Sequence, residues 1–150
     1  MATTARPVLT QNGYDYAFAG VKHLFGNAPI VFGNLEGPLT DRGTAEQDKT
    51  YTFRSPPDKV SRALVGAGFN VVSLANNHTL DYGADGLAQT LETLDAAGIA
   101  YAGAGPDLKA ARRPAILEAG ALTGSGRCAE SAPLVSRASC APSGTCRDRP

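Results

Sequence analysis

The chain has 150 residues, 43% of them hydrophobic, and a formal net charge of zero. That composition suits one domain with a real core and excludes a protein that binds polyanions by bulk charge, so no nucleic-acid partner is expected. No run approaches the roughly 18 apolar residues that a membrane span needs, and Met1 to Thr10 holds one Arg and no apolar block of signal-peptide length, so the chain as written reads as cytoplasmic.

Tyr14, Phe18, Val21 and Phe25 recur at helical spacing, and Gly26-Asn27 ends the pattern. Pro29 to Phe32 is a short apolar run that predicts a strand, broken by Gly33-Asn34-Leu35-Glu36-Gly37-Pro38. Residues 39 to 50 are polar and aperiodic, a loop, and Tyr51-Thr52-Phe53 alternates like a brief strand. Ser55-Pro56-Pro57 opens a helix, with proline in the first turn where its missing N–H is harmless. Val60, Leu64 and Val65 are its expected buried stripe, and Gly66 to Gly68 ends it.

Phe69 to Ala75 is β-branched and continuously apolar, as befits a parallel strand covered on both faces. Ala84 to Ala97 predicts the strongest helix, with Leu87, Leu91 and Leu94 on one face and Gly98 as its stop. Ile99 to Ala102 is a third strand, Gly103 to Pro106 a turn, Asp107 to Arg112 a short helix and Pro114 to Ala119 a fourth strand. This alternation argues for an α/β fold with a mostly parallel sheet.

Composition changes after residue 120. Residues 1–120 carry ten Lys and Arg against twelve Asp and Glu, whereas residues 121–150 carry four Arg against two acids, all three cysteines and no aromatic residue. The cysteine spacings match no familiar zinc pattern. Residues 1–120 are therefore expected to form the domain, and 121–150 a disordered or frame-shifted tail.

Two predicted strands end in polar clusters, Asn34-Leu35-Glu36 and Asn76-Asn77-His78, the second followed by Asp81. Parallel strands would place both clusters on one edge, where such sheets bind ligands. A carboxylate, carboxamides and an imidazole suit a divalent cation, and equally suit metal-free acid–base work by Glu36 and His78. Blander roles exist for each residue: a loop carboxylate at Glu36, Asx-turn geometry at Asn76 and Asn77, a helix cap or first-turn charge at Asp81. Arg54 is either a clamp for a carboxylate or phosphate, or a surface residue.

Asn34-Leu35-Glu36-Gly37, Tyr51-Thr52-Phe53-Arg54-Ser55-Pro56-Pro57 and the run from Ala67 to Gly83 that contains Asn76-Asn77-His78-Thr79-Leu80-Asp81-Tyr82-Gly83 closely resemble the bacterial CapA family of capsule and poly-γ-glutamate synthesis proteins. The resemblance extends over roughly residues 12 to 120. It implies a partial calcineurin-like metallophosphatase fold, which in the complete family is a four-layer α/β sandwich around two metals. It further implies Glu36 and Asn77 as metal ligands and His78 as the catalytic acid or transition-state stabiliser; Asn34, Arg54, Asn76 and Asp81 are the weaker candidates for substrate contact. The implied cofactor is a divalent metal (Mn, Fe, Zn or Mg). The implied partners are an anionic cell-surface polymer or its precursor and other capsule-synthesis proteins, with complete members in the cell envelope.

The family's opening strand, ending in Gly-Asp, and its later histidines have no counterpart here; only His23 and His78 occur. The expectation is a fragment of a longer gene, inactive alone. A hydrolase acting on a phosphoester or γ-glutamyl polymer and a non-catalytic polymer-binding accessory of export are the two functions that follow.

Overall fold

The structure, a computed structural model, describes residues 5–119, 122–126 and 134–135. The chain begins with α1 (Ala5–Asn12), then α2 (Tyr16–Ala19) and α3 (Lys22–Phe25). The single helix expected over Tyr14 to Phe25 is thus two short pieces; Gly20 keeps helical angles (φ −80°, ψ −15°), and the backbone departs from them at Val21 (φ −123°). Its aromatic face survives the break. Phe18 and Phe25 both contact the ring of Phe69, at 5.4 Å between centroids in each case, while Val21 is exposed.

The strand β1 (Phe32–Asn34) starts where the apolar run ends, later than expected, so the polar Asn34 is part of it. Tyr51-Thr52-Phe53 is not a strand; the sheet-like pairing there is a single parallel bridge between Leu39 and Ser55. Helix α4 (Pro57–Ala67) begins after Pro56 and ends at Gly68, which adopts φ +95°. Val60 and Leu64 are buried as expected, but Val65 is exposed and Ala63 and Ala67 complete the stripe. The true face follows the i, i+3, i+4, i+7 rule, which Val60, Ala63, Leu64 and Ala67 satisfy and Val65 does not.

Strand β2 (Val71–Ser73) leads through a turn into α5 (Gly83–Ala97), which Gly98 stops at φ +68°, and the chain returns as β3 (Ala100–Ala102). These three strands form one parallel sheet in the order β1-β2-β3, with Asn34 opposite Ser73 and Ser73 opposite Ala102. The expected α/β fold is therefore present, consistent with part of a metallophosphatase-like architecture.

Alternate residues of β2 face opposite ways, and both faces are covered. Val72 and Leu74 pack with Val60 and Leu64 of α4 and Leu87 and Leu94 of α5, so both helices lie on one face. Val71 packs with Ala102 and Ala115 on the other. Full burial of a Leu or Val side chain stabilises the fold by about 1.5–3 kcal/mol, so the helix-side cluster dominates the core.

The expected turn at Gly103 to Pro106 contains the two-residue strand β4 (Ala104–Gly105), and α6 (Leu108–Ala111) follows, capped by Asp107 Oδ1 accepting from the Ala110 N–H at 2.7 Å. The fourth expected strand, β5 (Ala115–Ala119), does not join the parallel sheet. It forms an antiparallel pair with β6 (Leu122–Gly126), and Ala115 and Leu117 place that hairpin over the Val71 face. The two-residue strand β7 (Leu134–Val135) pairs in parallel with β4. Within the expected tail, residues 122–126 and 134–135 are thus strand, and the remainder lies outside the described residues. Among the described residues no helix is long and apolar enough to cross a membrane.

Candidate functional site

Both strand-end clusters meet on one edge of the sheet, because β1 and β2 run in parallel and end in register. Their contact is direct: the Asn76 amide donates to Asn34 Oδ1 at 3.1 Å and to the Leu35 carbonyl at 3.0 Å. Asn76 Oδ1 in turn accepts from the His78 N–H at 3.0 Å and from the Thr79 hydroxyl at 3.1 Å. The i to i+2 bond is the Asx-turn anticipated for these carboxamides. The buried Thr79 hydroxyl also lies against the Leu74 carbonyl, so its single proton is shared between that oxygen and Asn76 Oδ1. Asn34 and Asn76 therefore build the turn and join the two strand ends.

The turn needs room behind it. Gly103, at the end of β3, has φ +99°, and a Cβ on it would sit 2.5 Å from Ala75 Cβ and 2.7 Å from the Ala75 nitrogen. Only glycine permits the backbone of β3 to pass so close to the segment that leads into Asn76.

His78 lies at the centre of the edge. Its ring contacts Phe53 at 4.4 Å between centroids. Its Nε2 faces Glu36 Oε1 at 3.9 Å, with the imidazole 13% exposed and the Glu36 side chain 56% exposed. Its Nδ1 lies 2.8 Å from Asp81 Oδ2.

Asp81, a weaker candidate for substrate contact, is fully buried, at 0% exposure, and its carboxylate is turned to protein donors. It does not cap α5, whose N-cap is Tyr82 without a side-chain bond. Instead its carboxylate accepts from the Lys49 ammonium at 2.6 Å and the Phe53 N–H at 2.6 Å, in addition to His78. Its carbonyl accepts from the Glu46 N–H at 2.9 Å. Burial by itself would raise the Asp81 carboxyl. The bonds from Lys49, Phe53 and His78 and the Lys49 charge outweigh it, holding the group below the ordinary carboxylate value. An ionised carboxylate only accepts hydrogen bonds, so His78 Nδ1 is the donor; in the neutral imidazole Nε2, on the side of Glu36, then carries the lone pair.

Lys49 is the residue that sequence reasoning missed. It also donates to the Asn77 carbonyl, and it sits in the segment read as an aperiodic loop. That loop is anchored elsewhere too. Gln89 Oε1 accepts from the Thr40 hydroxyl at 2.6 Å and from the Asp41 and Arg42 N–H groups at 3.0 and 3.1 Å, and the Leu39 N–H donates to Thr90 Oγ1 at 3.0 Å.

The structure brings Glu36, Asn76 and His78 together but sets Arg54 apart. The Arg54 guanidinium lies 4.7 Å from the Tyr82 ring centroid. With Thr52, Ser55 and Tyr82 it lines a neighbouring cleft of about 530 Å³ that neither Glu36 nor His78 lines. Consecutive side chains of one segment thus serve two places: Phe53 packs on His78, and Thr52 and Arg54 face the cleft.

The donors fit part of a cation site. Glu36 would supply carboxylate oxygens and the exposed Asn77 an amide oxygen, leaving His78 Nε2 for proton transfer. Asp81 is committed to its three donors. Among the described residues no three His, Cys, Asp or Glu side chains are grouped to hold a metal ion.

Comparison with known proteins agrees with the motifs. The family model described as "Bacterial capsule synthesis protein PGA_cap" matches residues 1–129. The chain is 33% identical over 111 residues to a protein of Bacillus anthracis named "Capsule biosynthesis protein CapA", covering 73% of this chain and 27% of that protein. It is 32% identical over 114 residues to the "PGA biosynthesis protein CapA" of Bacillus subtilis, covering 75% and 30%. A "Probable polyglutamine synthesis accessory protein" of Mycobacterium tuberculosis is 45% identical over 87 residues, 58% of this chain and 23% of that one. The chain therefore spans less than a third of the length of each of these relatives. With the family match running from the first helix through β6 and across both strand-end clusters, the chain belongs to the bacterial capsule synthesis protein family PGA_cap.

Proposed function

We propose that this chain takes part in making or processing an anionic cell-surface polymer, as the hydrolytic site of a capsule or poly-γ-glutamate synthesis protein that works with other capsule-synthesis components. The observation that carries this reading is His78: its Nδ1 is tied to a buried carboxylate, and its Nε2 faces the exposed Glu36 at 3.9 Å. A histidine so oriented has one nitrogen free to move a proton, which is what hydrolysis of a phosphoester or γ-glutamyl bond requires. His78 would take a proton from the attacking water or return one to the leaving group. Glu36 and Asn77 would hold a divalent cation of the Mn, Fe, Zn or Mg type, which when bound polarises the bond under attack.

The test uses a purified full-length family member with these residues in place and Mn, Fe, Zn or Mg added, calorimetric measurement of cation binding, and hydrolysis of a generic phosphoester and of γ-linked glutamate oligomers. Glu36→Gln is expected to weaken cation binding, and His78→Ala to abolish hydrolysis while leaving cation binding in place. Full hydrolysis by His78→Ala would overturn the reading.

A second reading, a non-catalytic polymer-binding accessory, is supported by the Arg54 cleft and by the word "accessory" in the name of the mycobacterial relative. It predicts that γ-linked glutamate oligomers still bind after Glu36 and His78 are both replaced.

A further inference from the structure

We propose that Lys49 is a positioning residue for His78, acting through the buried Asp81 carboxylate to hold the imidazole with Nδ1 as donor and Nε2 as acceptor. The proposal rests on reading His78 as the reactive group of the site.

The division of bonds on Asp81 is what singles out Lys49. Both the Phe53 N–H and His78 Nδ1 fall on Oδ2, at 2.6 and 2.8 Å. Lys49 is the partner on Oδ1, at 2.6 Å. A carboxylate held at one oxygen can pivot about its Cβ–Cγ bond; held at both, it cannot. The acceptor that fixes the imidazole is thus fixed in its turn by an ammonium on the other side.

Lys49 makes a second connection. The same ammonium bonds the Asn77 carbonyl, so it spans the turn from residue 77 to residue 81. Three further bonds help set that turn: Asn76 Oδ1 to the His78 N–H, the Asp81 N–H to the His78 carbonyl at 3.1 Å, and the Glu46 N–H to the Asp81 carbonyl. Backbone bonds hold the chain, but the direction of the carboxylate depends on the Lys49 side chain. Which ring nitrogen of a histidine carries the proton is set by the bond its other nitrogen makes, and outer partners of this kind commonly govern the orientation of a functional imidazole. Lys49 comes from a loop 32 residues away in sequence and its side chain is 32% exposed. It is therefore a residue that can be changed without opening the core.

The test reads the ring directly and needs neither substrate nor cation. Long-range ¹H–¹⁵N spectra of the two imidazoles are recorded at about pH 8.5, roughly two units above the ordinary imidazole value. In the unaltered protein His78 is expected as a single Nδ1–H tautomer; an Nε2–H tautomer there overturns the proposal without any variant. In Lys49→Met the single-tautomer pattern is expected to be lost to a mixture, and in Lys49→Arg, which keeps the charge and the donors, it is expected to return. His23, exposed on α3, serves as the internal reference and is expected to look alike in all three proteins. A single Nδ1–H tautomer that persists in Lys49→Met overturns the proposal, as does its equal loss in Met and Arg variants. Should Lys49→Met fail to fold, Lys49→Gln takes its place under the same criteria. If the tautomer obeys Lys49 and no hydrolysis is found, only the hydrolytic reading falls; if hydrolysis is found and the tautomer ignores Lys49, only this proposal falls.

Discussion

Replacing Asp81 by Asn tests the reasoning about the site through stability alone. The change is close to isosteric, so packing around this fully buried side chain is kept. What changes is the set of partners. The amide oxygen can accept from Phe53 and His78 as Oδ2 does, but the amide NH₂ then faces the Lys49 ammonium, two donors together. Lys49 is partly exposed and can turn to water, so the penalty is not that of an orphaned buried charge. The remaining loss is the charge-assisted character of the bonds, each worth about 1.5–3 kcal/mol against about 1 for a neutral one. The expected destabilisation is about 3 kcal/mol at pH 7, which lowers the folded-to-unfolded ratio by roughly a hundredfold.

The pH dependence follows from the lowered carboxyl. A group whose folded value lies below its unfolded value of about 3.9 adds stability above that value and loses it as pH falls through the folded one. The gap between the parent protein and Asp81→Asn should therefore be full at neutral pH and narrow in acid. Urea unfolding at pH 7 and near pH 3 measures it. A variant within about 0.5 kcal/mol of the parent at pH 7, or an equal gap at both pH values, would refute the argument.

Three other outcomes are expected. Gly103→Ala should cost about 3 kcal/mol or more, since it combines a positive φ with a Cβ 2.7 Å from the Ala75 nitrogen, and calorimetric melting should show a markedly lower Tm. Leu94→Ala should cost about 3 kcal/mol because Leu94 is fully buried between α5 and the sheet, whereas Val65→Lys, on the exposed side of α4, should stay within about 0.5 kcal/mol in the same urea titration. Glu36→Gln, at an exposed carboxylate, should leave unfolding unchanged within about 0.5 kcal/mol; a large loss would mean that Glu36 holds the fold rather than a ligand.

The sequence by itself determined the local elements and the edge where the site lies. Helix α5 was legible because Leu87, Leu91 and Leu94 repeat at helical spacing and Gly98 stops them. Strand β2 was legible because a continuous apolar run has to be covered on both faces, and Val71 and Val72 do face separate clusters. The meeting of Asn34 and Asn76 followed from parallel strands ending together. Boundaries were less legible: β1 begins at the end of its apolar run, and the first predicted helix breaks at Val21 although its aromatic spacing runs on across the break.

Tertiary structure alone decided the rest. Nothing in Pro114 to Ala119 indicates that β5 pairs antiparallel with β6 and lies across the other face of the sheet, because periodicity reports burial and not the partner. Asp81 read as a helix cap, a first-turn charge or a substrate contact, and only the return of residues 46–53 over it made it a buried hub with Lys49, Phe53 and His78 as donors. The physical reason is one of range. Turns, caps and helix stops are chosen by the next few residues, whereas the orientation of the His78 imidazole depends on an ammonium that the folded chain delivers from 32 residues away from its carboxylate partner.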